Sequence, residues 1–213
     1  SLITRGQSNN YGELNTPDDL DGLVYCDSDG AMYDICGVCS GDNSSCWTDL
    51  SIPFDNQNNI ATGEGPLSLA IHYDDTITGW GHPWHTDNIP AGLENVVALA
   101  AGLEHVLVLS SDGQVTAWGS NSEGQTDVPA DLENVVAIAG GFGYSLALLS
   151  NGSVIAWGQN NYGQTDIPDG LSDVVAISGG YHHGLALSSD GTVTAWGYNN
   201  QGQTDIPDDL SNV

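Results

Sequence analysis

Short apolar runs separated by small or polar residues return every 39 residues from Leu93 onward. In the copy at residues 132–170, the runs Val135–Ala139, Ser145–Leu149 and Ser153–Trp157 each have the length of a β-strand. A long polar loop follows, ending in a proline. Three strands and one loop cannot bury their apolar faces alone, so neighbouring copies must stack. The pattern therefore predicts an all-β protein built of stacked modules.

The second and third runs of each copy are joined by a turn signal. Asn151-Gly152 lies there in one copy, and Asp112-Gly113 and Asp190-Gly191 lie there in two others. A two-residue hairpin turn needs positive φ at both central positions, which these residue pairs tolerate. We therefore expect a two-residue hairpin. An earlier copy has Asp74-Asp75 at this place, which is a weaker turn signal.

Small residues end the first run of each copy, and a tryptophan ends the third. Small side chains are expected where first strands converge on a central axis with little room. The tryptophans would lie farther out and fill the space between neighbouring blades. We therefore predict a β-propeller with three-stranded blades of about 39 residues rather than a β-helix. The residues concerned are Ala100–Gly102, Gly140-Gly141 and Ser178–Gly180 for the small group, and Trp118, Trp157 and Trp196 for the large one.

The repeats predict the domain organisation. Four propeller repeats occupy residues 58–92, 93–131, 132–170 and 171–209, and residues 210–213 begin a further repeat. Residues 1–20 match the last strand and loop of a blade, because Asn9–Gly12 mimics Asn160–Gly163. Residues 21–57 form a cysteine-rich acidic insert or linker. This number of repeats does not close a ring, so we expect either that the chain continues or that another copy completes its blades.

Charge excludes some partners. The chain has 28 acidic residues, a single basic residue and a net charge of −27. Such a surface repels the phosphates of nucleic acid and of anionic lipids. It attracts Ca²⁺ and remains soluble at high salt, as suits a saline or calcium-rich exterior. No apolar run is long enough for a membrane span.

The cysteines are concentrated in the insert. All four lie within 21 residues, which predicts two disulfides in an oxidising compartment, with a zinc site at the CxxC pair as the alternative. Aspartates at short spacing supply oxygen ligands of the kind that Ca²⁺ binds, although the glutamate that ends an EF-hand loop is absent. The cysteines are Cys26, Cys36, Cys39 and Cys46, and the candidate calcium ligands are Asp27, Asp29, Asp34 and Asp42.

Two stretches resemble known sequences. The string HGLALSSDGTVTAWGYNNQGQTDIP, residues His183–Pro207, resembles the repeat of the regulator of chromosome condensation family. The short repeat is similar to the bacterial form, as in the secreted beta-lactamase inhibitor propeller with three-stranded blades. This resemblance implies a propeller, usually of seven blades, whose relatives include exchange factors, enzyme inhibitors and surface proteins. The stretch Cys36–Cys46 resembles the CGVCGGDNS(S/T)C cassettes of large secreted proteins, which implies an extracellular, disulfide-pinned linker.

Other polar residues are candidate sites. One acidic position recurs in the long loops and predicts an arc of carboxylates, which is either a solvated rim or a site for a divalent ion or cationic partner. Its members are Asp87, Asp127, Asp166 and Asp205. Asn43 and Asn151 match the N-glycosylation pattern. His105 and His183 share one repeat position with Tyr144 and Leu67, which indicates a structural role. His82 and His85, in an irregular loop, are either metal ligands or plain loop residues.

We therefore expect a non-catalytic extracellular structural or cell-surface propeller, filament-forming or part of a tandem array, with Ca²⁺ as its cofactor. Its partner would be another protein or further copies of itself, and nucleic acid is not expected to bind. A secreted binding module of inhibitor type is the first alternative. Its anchors would be the loop aromatics Tyr11, Trp84, Tyr162, Tyr181 and Tyr198. A calcium-dependent hydrolase or lyase using the acidic arc is the second alternative.

Overall fold

The computed structural model describes residues 25–26, 32–33, 59–63, 65–72, 74–81, 86, 88–210 and 213. The chain divides into two compact units, Ser1–Phe54 and Asp55–Val213. In the first unit, strand β1 (Tyr25–Cys26) pairs antiparallel with β2 (Met32–Tyr33). The remainder of the cysteine-rich segment, and the blade strand expected in residues 1–20, lie outside the described residues.

The described part of the second unit contains four three-stranded antiparallel sheets, which we number as blades 1 to 4. In each blade the middle strand pairs with both of its neighbours along the chain. This arrangement confirms the predicted all-β fold with three-stranded blades. The strands are β3 (Ile60–Thr62), β4 (Leu67–Ile71) and β5 (Ile77–Gly81); β6 (Val96–Ala101), β7 (His105–Ser110) and β8 (Val115–Gly119); β9 (Val135–Gly140), β10 (Tyr144–Leu149) and β11 (Val154–Gly158); and β12 (Val174–Gly179), β13 (His183–Ser188) and β14 (Val193–Gly197).

The hairpins differ from the expected two-residue turn. In blade 3 the amide of Gly152 donates to the Leu149 carbonyl at 2.9 Å, and the amide of Leu149 donates to the Ser153 carbonyl at 2.9 Å. The loop therefore has three residues, of which only Gly152 is left-handed, with φ of +80°. The prediction of positive φ at both turn positions was wrong, because Asn151 instead accepts the Ser153 amide at its Oδ1. In blade 1 Asp75, with φ of +63°, takes the place of the glycine.

First strands of neighbouring blades lie against one another, as the small residues at their ends predict. A Cβ added to Gly140 would lie 2.6 Å from the Gly102 nitrogen, and one added to Gly179 would lie 2.6 Å from the Gly140 oxygen. Larger side chains would force these backbones apart. The first strands are therefore the inner strands of the blades.

The apolar core lies between successive blades. Side chains alternate along each middle strand, so one set faces the preceding blade and the other set faces the following blade. In β7, Val106 belongs to the same buried cluster as Leu69 of blade 1, whereas Leu107 shares a second cluster with Ile138 of blade 3. A third cluster joins blades 3 and 4. Each joint is therefore a small core shared by two sheets.

The tryptophans at the ends of third strands complete these joints. The Trp157 indole nitrogen donates to the Gln125 carbonyl of blade 2 at 2.9 Å, and Trp196 donates to the Gln164 carbonyl of blade 3 at 2.9 Å. The prediction that these side chains fill the space between blades is confirmed. Trp80 of blade 1 differs, with 54% of its surface exposed, because it faces away from blade 2.

Among the described residues, no helix is long and apolar enough to cross a membrane.

Candidate binding face

Every blade has two ends with different chemistry. Antiparallel pairing places the turn between first and second strands, here called the inner turn, at the same end as the long loop after the third strand. We call this the loop end. The hairpin between second and third strands lies at the opposite end, together with the entry into the first strand, and we call that the hairpin end.

Backbone hydrogen bonds join the loop-end segments of blades 3 and 4 into one surface. Within blade 3 the amide of Gln159 donates to the Gly143 carbonyl at 2.9 Å, and within blade 4 the amide of Tyr198 donates to the His182 carbonyl at 2.9 Å. Between the blades, the amide of Phe142 donates to the Tyr181 carbonyl at 3.1 Å. Side chains of different blades are therefore held at fixed spacing.

Five rings meet on this surface: Phe142, Tyr162, Tyr181, His182 and Tyr198, which we call the aromatic cluster. His182 lies at its centre, with ring centroids 4.5 Å from Tyr181, 4.7 Å from Tyr162 and 5.1 Å from Phe142. Phe142 and Tyr181 are 4.4 Å apart, and Tyr162 and Tyr198 are 4.8 Å apart. These are the tilted and edge-to-face contacts that aromatic rings favour.

The aromatic cluster is open to solvent although its rings contact one another. Tyr162 is 48% exposed and Tyr181 is 50% exposed. His182 is half-buried between them, and desolvation lowers the pKa of its imidazole from the ordinary value of 6.5, which favours the neutral ring. Among the described residues, its buried Nδ1 has no hydrogen-bond partner. The surface thus offers apolar ring faces and phenol hydroxyls to a ligand.

Blade 2 carries different side chains at the matching positions. Its inner turn has Leu103 and Glu104 where blade 4 has Tyr181 and His182, and its long loop has Glu123 where blade 3 has Tyr162. The Glu123 Cγ lies 3.5 Å from the point where a Cβ on Gly143 would stand. The aromatic cluster is therefore bordered by a carboxylate from blade 2.

A repeated set of hydrogen bonds holds the long loops of blades 2, 3 and 4. In blade 3, Asn160 Nδ2 donates to Asp166 Oδ1 at 2.8 Å, and Asn160 Oδ1 accepts the Thr165 amide at 3.0 Å. The Gln164 Oε1 atom accepts the Tyr162 amide at 2.8 Å. Equivalent bonds recur in blades 2 and 4. Tyr162 therefore projects from a loop whose backbone is fixed.

Three of the four predicted rim carboxylates take part in these hydrogen bonds. Asp127, Asp166 and Asp205 occupy the same place in successive loops, and each accepts a hydrogen bond from the asparagine six residues earlier. Asp87 lies outside the described residues. Within the described ranges, no three His, Cys, Asp or Glu side chains are grouped so as to hold a metal ion.

His105 and Ser145 form a buried pair across the joint of blades 2 and 3. Ser145 Oγ donates to the Gln125 carbonyl at 2.8 Å and lies 2.9 Å from His105 Nε2. Because the hydroxyl proton is directed at the carbonyl, His105 is the donor in this contact, opposite to the arrangement that activates a serine nucleophile. The matching Tyr144 donates to the His183 carbonyl of blade 4. This repeat position therefore joins blades, which agrees with the structural role expected from its variable occupants.

The other predicted positions divide in two groups. Asn151 is exposed at a hairpin tip, at the end of blade 3 opposite to the aromatic cluster. The remaining positions lie outside the described residues or are described in the backbone alone: Cys26, Cys36, Cys39, Cys46, Asp27, Asp29, Asp34, Asp42, Asn43, Tyr11, His82, Trp84 and His85.

Sequence reasoning named three of the five rings in the aromatic cluster. Tyr162, Tyr181 and Tyr198 were considered as loop aromatics, whereas Phe142 and His182 were missed. A comparison of inner turns would have found both, since Leu103-Glu104, Phe142-Gly143 and Tyr181-His182 occupy one position that changes chemistry from repeat to repeat.

Comparison with known families identifies the repeats. The family model described as "Regulator of chromosome condensation (RCC1) repeat" matches residues 96–125, 135–164 and 174–203. Each match begins at the first strand of a blade and ends at the glutamine of its long loop. The matches thus cover blades 2, 3 and 4.

Solved structures show the same fold. Prp20p of Saccharomyces cerevisiae is 24% identical with a TM-score of 0.57, over 68% of this chain and 44% of that one. Human WBSCR16 is 21% identical with a TM-score of 0.58, over 73% and 53%. The CRINKLY WD40 ectodomain of the Arabidopsis thaliana receptor kinase ACR4 is 20% identical with a TM-score of 0.53, over 65% and 49%. The chain thus spans about half the length of each structure.

Proposed function

Given that the chain is an RCC1-like β-propeller, we propose that it acts as a protein-binding module whose partner docks on the aromatic cluster. The main support for this proposal is that five rings from two blades meet in one exposed cluster on hydrogen-bonded loops. Tyrosine supplies a large contact area and a polar hydroxyl at low cost in side-chain entropy, which is why it is enriched at interfaces.

The partner that fits this face is a basic segment of a protein. A net charge of −27 attracts cations over a long range, and Glu104 and Glu123 lie at the same end of the propeller. Arginine and lysine side chains also stack on tyrosine rings through cation–π contacts. Desolvation lowers the pKa of His182 and so favours its neutral form, which does not repel such a partner.

Named partners of the solved relative support a protein ligand. One structure is described by the binding of Prp20p to Gsp1p and histones, and another shows Kap60 bound to yeast RCC1. This chain spans only 44% of Prp20p, so those partners are properties of Prp20p alone. What supports the proposal is the kind of interaction, a propeller that binds other proteins.

The proposed setting is extracellular, and the module is non-catalytic. Support comes from four cysteines within 21 residues, the cassette-like Cys36–Cys46 stretch and the absence of lysine. If the four cysteines form two disulfides, iodoacetamide should leave the mass of the unreduced protein unchanged and should alkylate all four cysteines after reduction.

If Asp27, Asp29, Asp34 and Asp42 bind calcium, titration with CaCl₂ should release heat, and this heat should be absent when all four residues are changed to Asn. A zinc site would instead leave the cysteines open to alkylation once a chelator is added.

The binding proposal is tested with an arginine-rich peptide as the probe. We expect the wild-type protein to bind it, with affinity falling as NaCl is added, and the double variant Tyr162→Ala, Tyr181→Ala to bind at least about tenfold more weakly. Val136→Ala is the matched control, because Val136 is also 54% exposed but lies outside the cluster. A glutamate-rich peptide and duplex DNA should not bind. Equal peptide affinity for the wild-type protein and the double variant would contradict the proposal.

A further inference from the structure

We propose that a polar cleft in blade 4 binds a neutral carbohydrate of one or two sugar rings. The cleft lies between the hairpin of blade 4, residues 188–194, and the segment that leads into blade 4 from the long loop of blade 3, residues 168–173. We call it the blade 4 cleft. It lies at the hairpin end, whereas the aromatic cluster lies at the loop end, so this inference goes beyond the proposed function.

The blade 4 cleft is present because hydroxyl side chains stand where blade 3 has apolar ones. In blade 3, Leu149 and Ile155 pack against the core cluster shared by blades 2 and 3. Ser188 and Thr194 occupy the matching positions one repeat later, and both line the cleft. These side chains are shorter and leave a volume of about 330 Å³. A space lined by polar groups holds water or a polar ligand, whereas an apolar cavity stays dry.

Blade 2 offers a matched comparison. It also has hydroxyls at the two positions, Ser110 and Thr116, but the longer Glu94 stands where blade 4 has Ser172. Ser110 Oγ donates to the Gln114 carbonyl at 3.2 Å, within its own hairpin. The hydroxyl of blade 2 therefore bonds within the hairpin and not to the segment that leads into the blade.

Hydrogen bonds in blade 4 fix the two walls of the cleft against each other. Ser188 Oγ donates to the Ser172 carbonyl at 3.2 Å, and the Ser189 amide donates to the Asp173 carbonyl at 2.9 Å. Because the walls are joined in the free protein, a ligand would not have to order them on binding.

The lining of the cleft offers both donors and acceptors. The hydroxyl of Thr194 is half-buried and has no hydrogen-bond partner among the described residues, so it is free to bond to a ligand. Asp190 accepts the Thr192 amide at 2.9 Å, and the hydrogen bonds from Thr192 lower the pKa of this carboxyl, which keeps it ionised. A sugar hydroxyl can accept from Thr194 and donate to a carboxylate, which is a strong acceptor.

The cleft also has an apolar part and a suitable size. Pro168 and Leu171 lie in its wall, and Leu171 packs against the core cluster of blades 3 and 4. The C–H face of a sugar ring can lie on these two side chains. The volume is at the lower end of the range of small-molecule sites, roughly 300–1,000 Å³. A ligand of one or two rings therefore fits.

Other classes of ligand match the cleft less well. Asp169, Asp173 and Asp190 line it, and together with the net charge of −27 they repel phosphates, sulfates and acidic sugars. Within the described ranges, no three His, Cys, Asp or Glu side chains are grouped so as to hold a metal ion. An organic cation has no use for hydroxyl donors. A neutral ligand with many hydroxyls uses the whole lining.

The first test is saturation-transfer NMR of the 213-residue chain with four neutral disaccharides: maltose, cellobiose, lactose and diacetylchitobiose. We expect saturable binding of at least one of them, and titration gives its Kd. Binding of none would overturn the proposal. Spermidine is the cationic probe, and if it displaced the bound sugar and bound more tightly, the cleft would be a cation site and the proposal would be wrong.

A variant that fills the cleft locates the sugar. Ser188→Leu with Thr194→Ile installs the side chains that blade 3 carries at the matching positions, and should weaken binding at least about tenfold. The control makes the same exchange in blade 2, Ser110→Leu with Thr116→Ile, and should bind the sugar as wild type does. Equal affinity of wild type and the filled variant would overturn the proposal.

A milder variant tests the free hydroxyl and does not depend on repacking. Thr194→Val keeps the shape of the side chain and removes its hydroxyl, so binding should weaken about three- to tenfold. Circular dichroism checks that each variant is folded. If the filled variant failed to fold, Thr194→Val would decide, and an unchanged sugar affinity would contradict the proposal.

The two proposed sites can be tested separately. Tyr162→Ala with Tyr181→Ala should lose the arginine-rich peptide and keep the sugar, whereas the filled variant should keep the peptide and lose the sugar. Loss of sugar binding in the tyrosine variant would place the sugar on the aromatic cluster and overturn this inference. Failure of the peptide to bind would leave the sugar result unaffected.

Discussion

The two ends of each blade follow different rules. At the hairpin end the same conformation returns in blades 2, 3 and 4: Asn95, Asn134 and Asp173 are left-handed, with φ of 54°, 58° and 54°. At the loop end the inner turn carries Leu103, then Phe142, then Tyr181, on the same backbone. The comparison teaches that the hairpin end keeps one conformation, whereas the inner-turn positions at the loop end vary their chemistry on a recurring backbone.

Packing explains this difference. The hairpin tip of blade 3 contacts the entry into blade 4, where the Val174 amide donates to the Gly152 carbonyl at 3.2 Å. A Cβ on Gly152 would stand 2.9 Å from the Asp173 Cα, so a change in one blade disturbs the next. Tyr162 and Tyr181 project into solvent instead, and their replacement leaves the joint between sheets intact.

The largest expected effect comes from removing the framework beneath the loop end. Trp157→Ala deletes a buried ring and leaves the Gln125 carbonyl without its indole donor. We expect the free energy of unfolding to fall by about 3–5 kcal/mol. Trp80→Ala is the control, with an expected loss under about 1 kcal/mol in dilute, low-salt solution, measured by urea denaturation. If both variants lost the same free energy of unfolding, packing of Trp157 in the joint between blades would not be the source of its contribution to stability.

The next largest effect tests the hairpin end. Gly152 has a left-handed φ, and a Cβ there would press against Asp173. Gly152→Ala should therefore lower the free energy of unfolding by about 2 kcal/mol. Gly170→Ala isolates the backbone strain, because Gly170 has φ of +82° but no atom within 4 Å of its Cβ position. It should cost about 1 kcal/mol. If both variants unfold at the same urea concentration, the contact between blades adds nothing.

A stabilising change is expected at the atypical hairpin of blade 1. Asp75 has φ of +63° where the other three hairpins have glycine. Asp75→Gly removes the strain of a left-handed side chain and should raise the free energy of unfolding by about 0.5–1 kcal/mol. Thermal unfolding measures this gain in stability, and a melting temperature of Asp75→Gly below that of wild type would contradict the assigned turn.

The smallest effect concerns His182 at the loop end. Its pKa is lowered in the folded state by desolvation, so the unfolded chain binds more protons as the pH falls through 6.5. This contribution to stability is present above pH 6.5 and is lost as the pH falls through the lowered folded-state value. The melting temperature of wild type should therefore drop relative to His182→Gln between pH 7.5 and pH 5. A constant difference between the two proteins would show that His182 is not desolvated.

The sequence predicted the repeated fold well, because the fold depends on positions that recur. Trp118 and Gly119 return as Trp157 and Gly158, and the structure places each pair in a joint between blades. The hairpin was predicted in the right place with the wrong turn, because Asn151-Gly152 suits both a two-residue turn and the three-residue turn observed.

The candidate site was only half visible from the sequence. Phe142 and His182 come from neighbouring blades, and their ring distance of 5.1 Å depends on how the two sheets are set against each other. No local pattern contains that relation. The recurring aspartates were visible as a series, but the asparagine partner of each, such as Asn160 for Asp166, emerged from the loop conformation.

Site-specific photocrosslinking of the arginine-rich peptide tests the different roles of the two ends most directly. A benzophenone side chain would replace Tyr181 at the loop end in one protein and Asn151, exposed at the hairpin end, in another. We predict that the peptide crosslinks to position 181 and that crosslinking at position 151 stays at the level of a glutamate-rich control peptide. Equal crosslinking at both positions, or crosslinking at 151 alone, would contradict the conclusion that the loop end binds the partner.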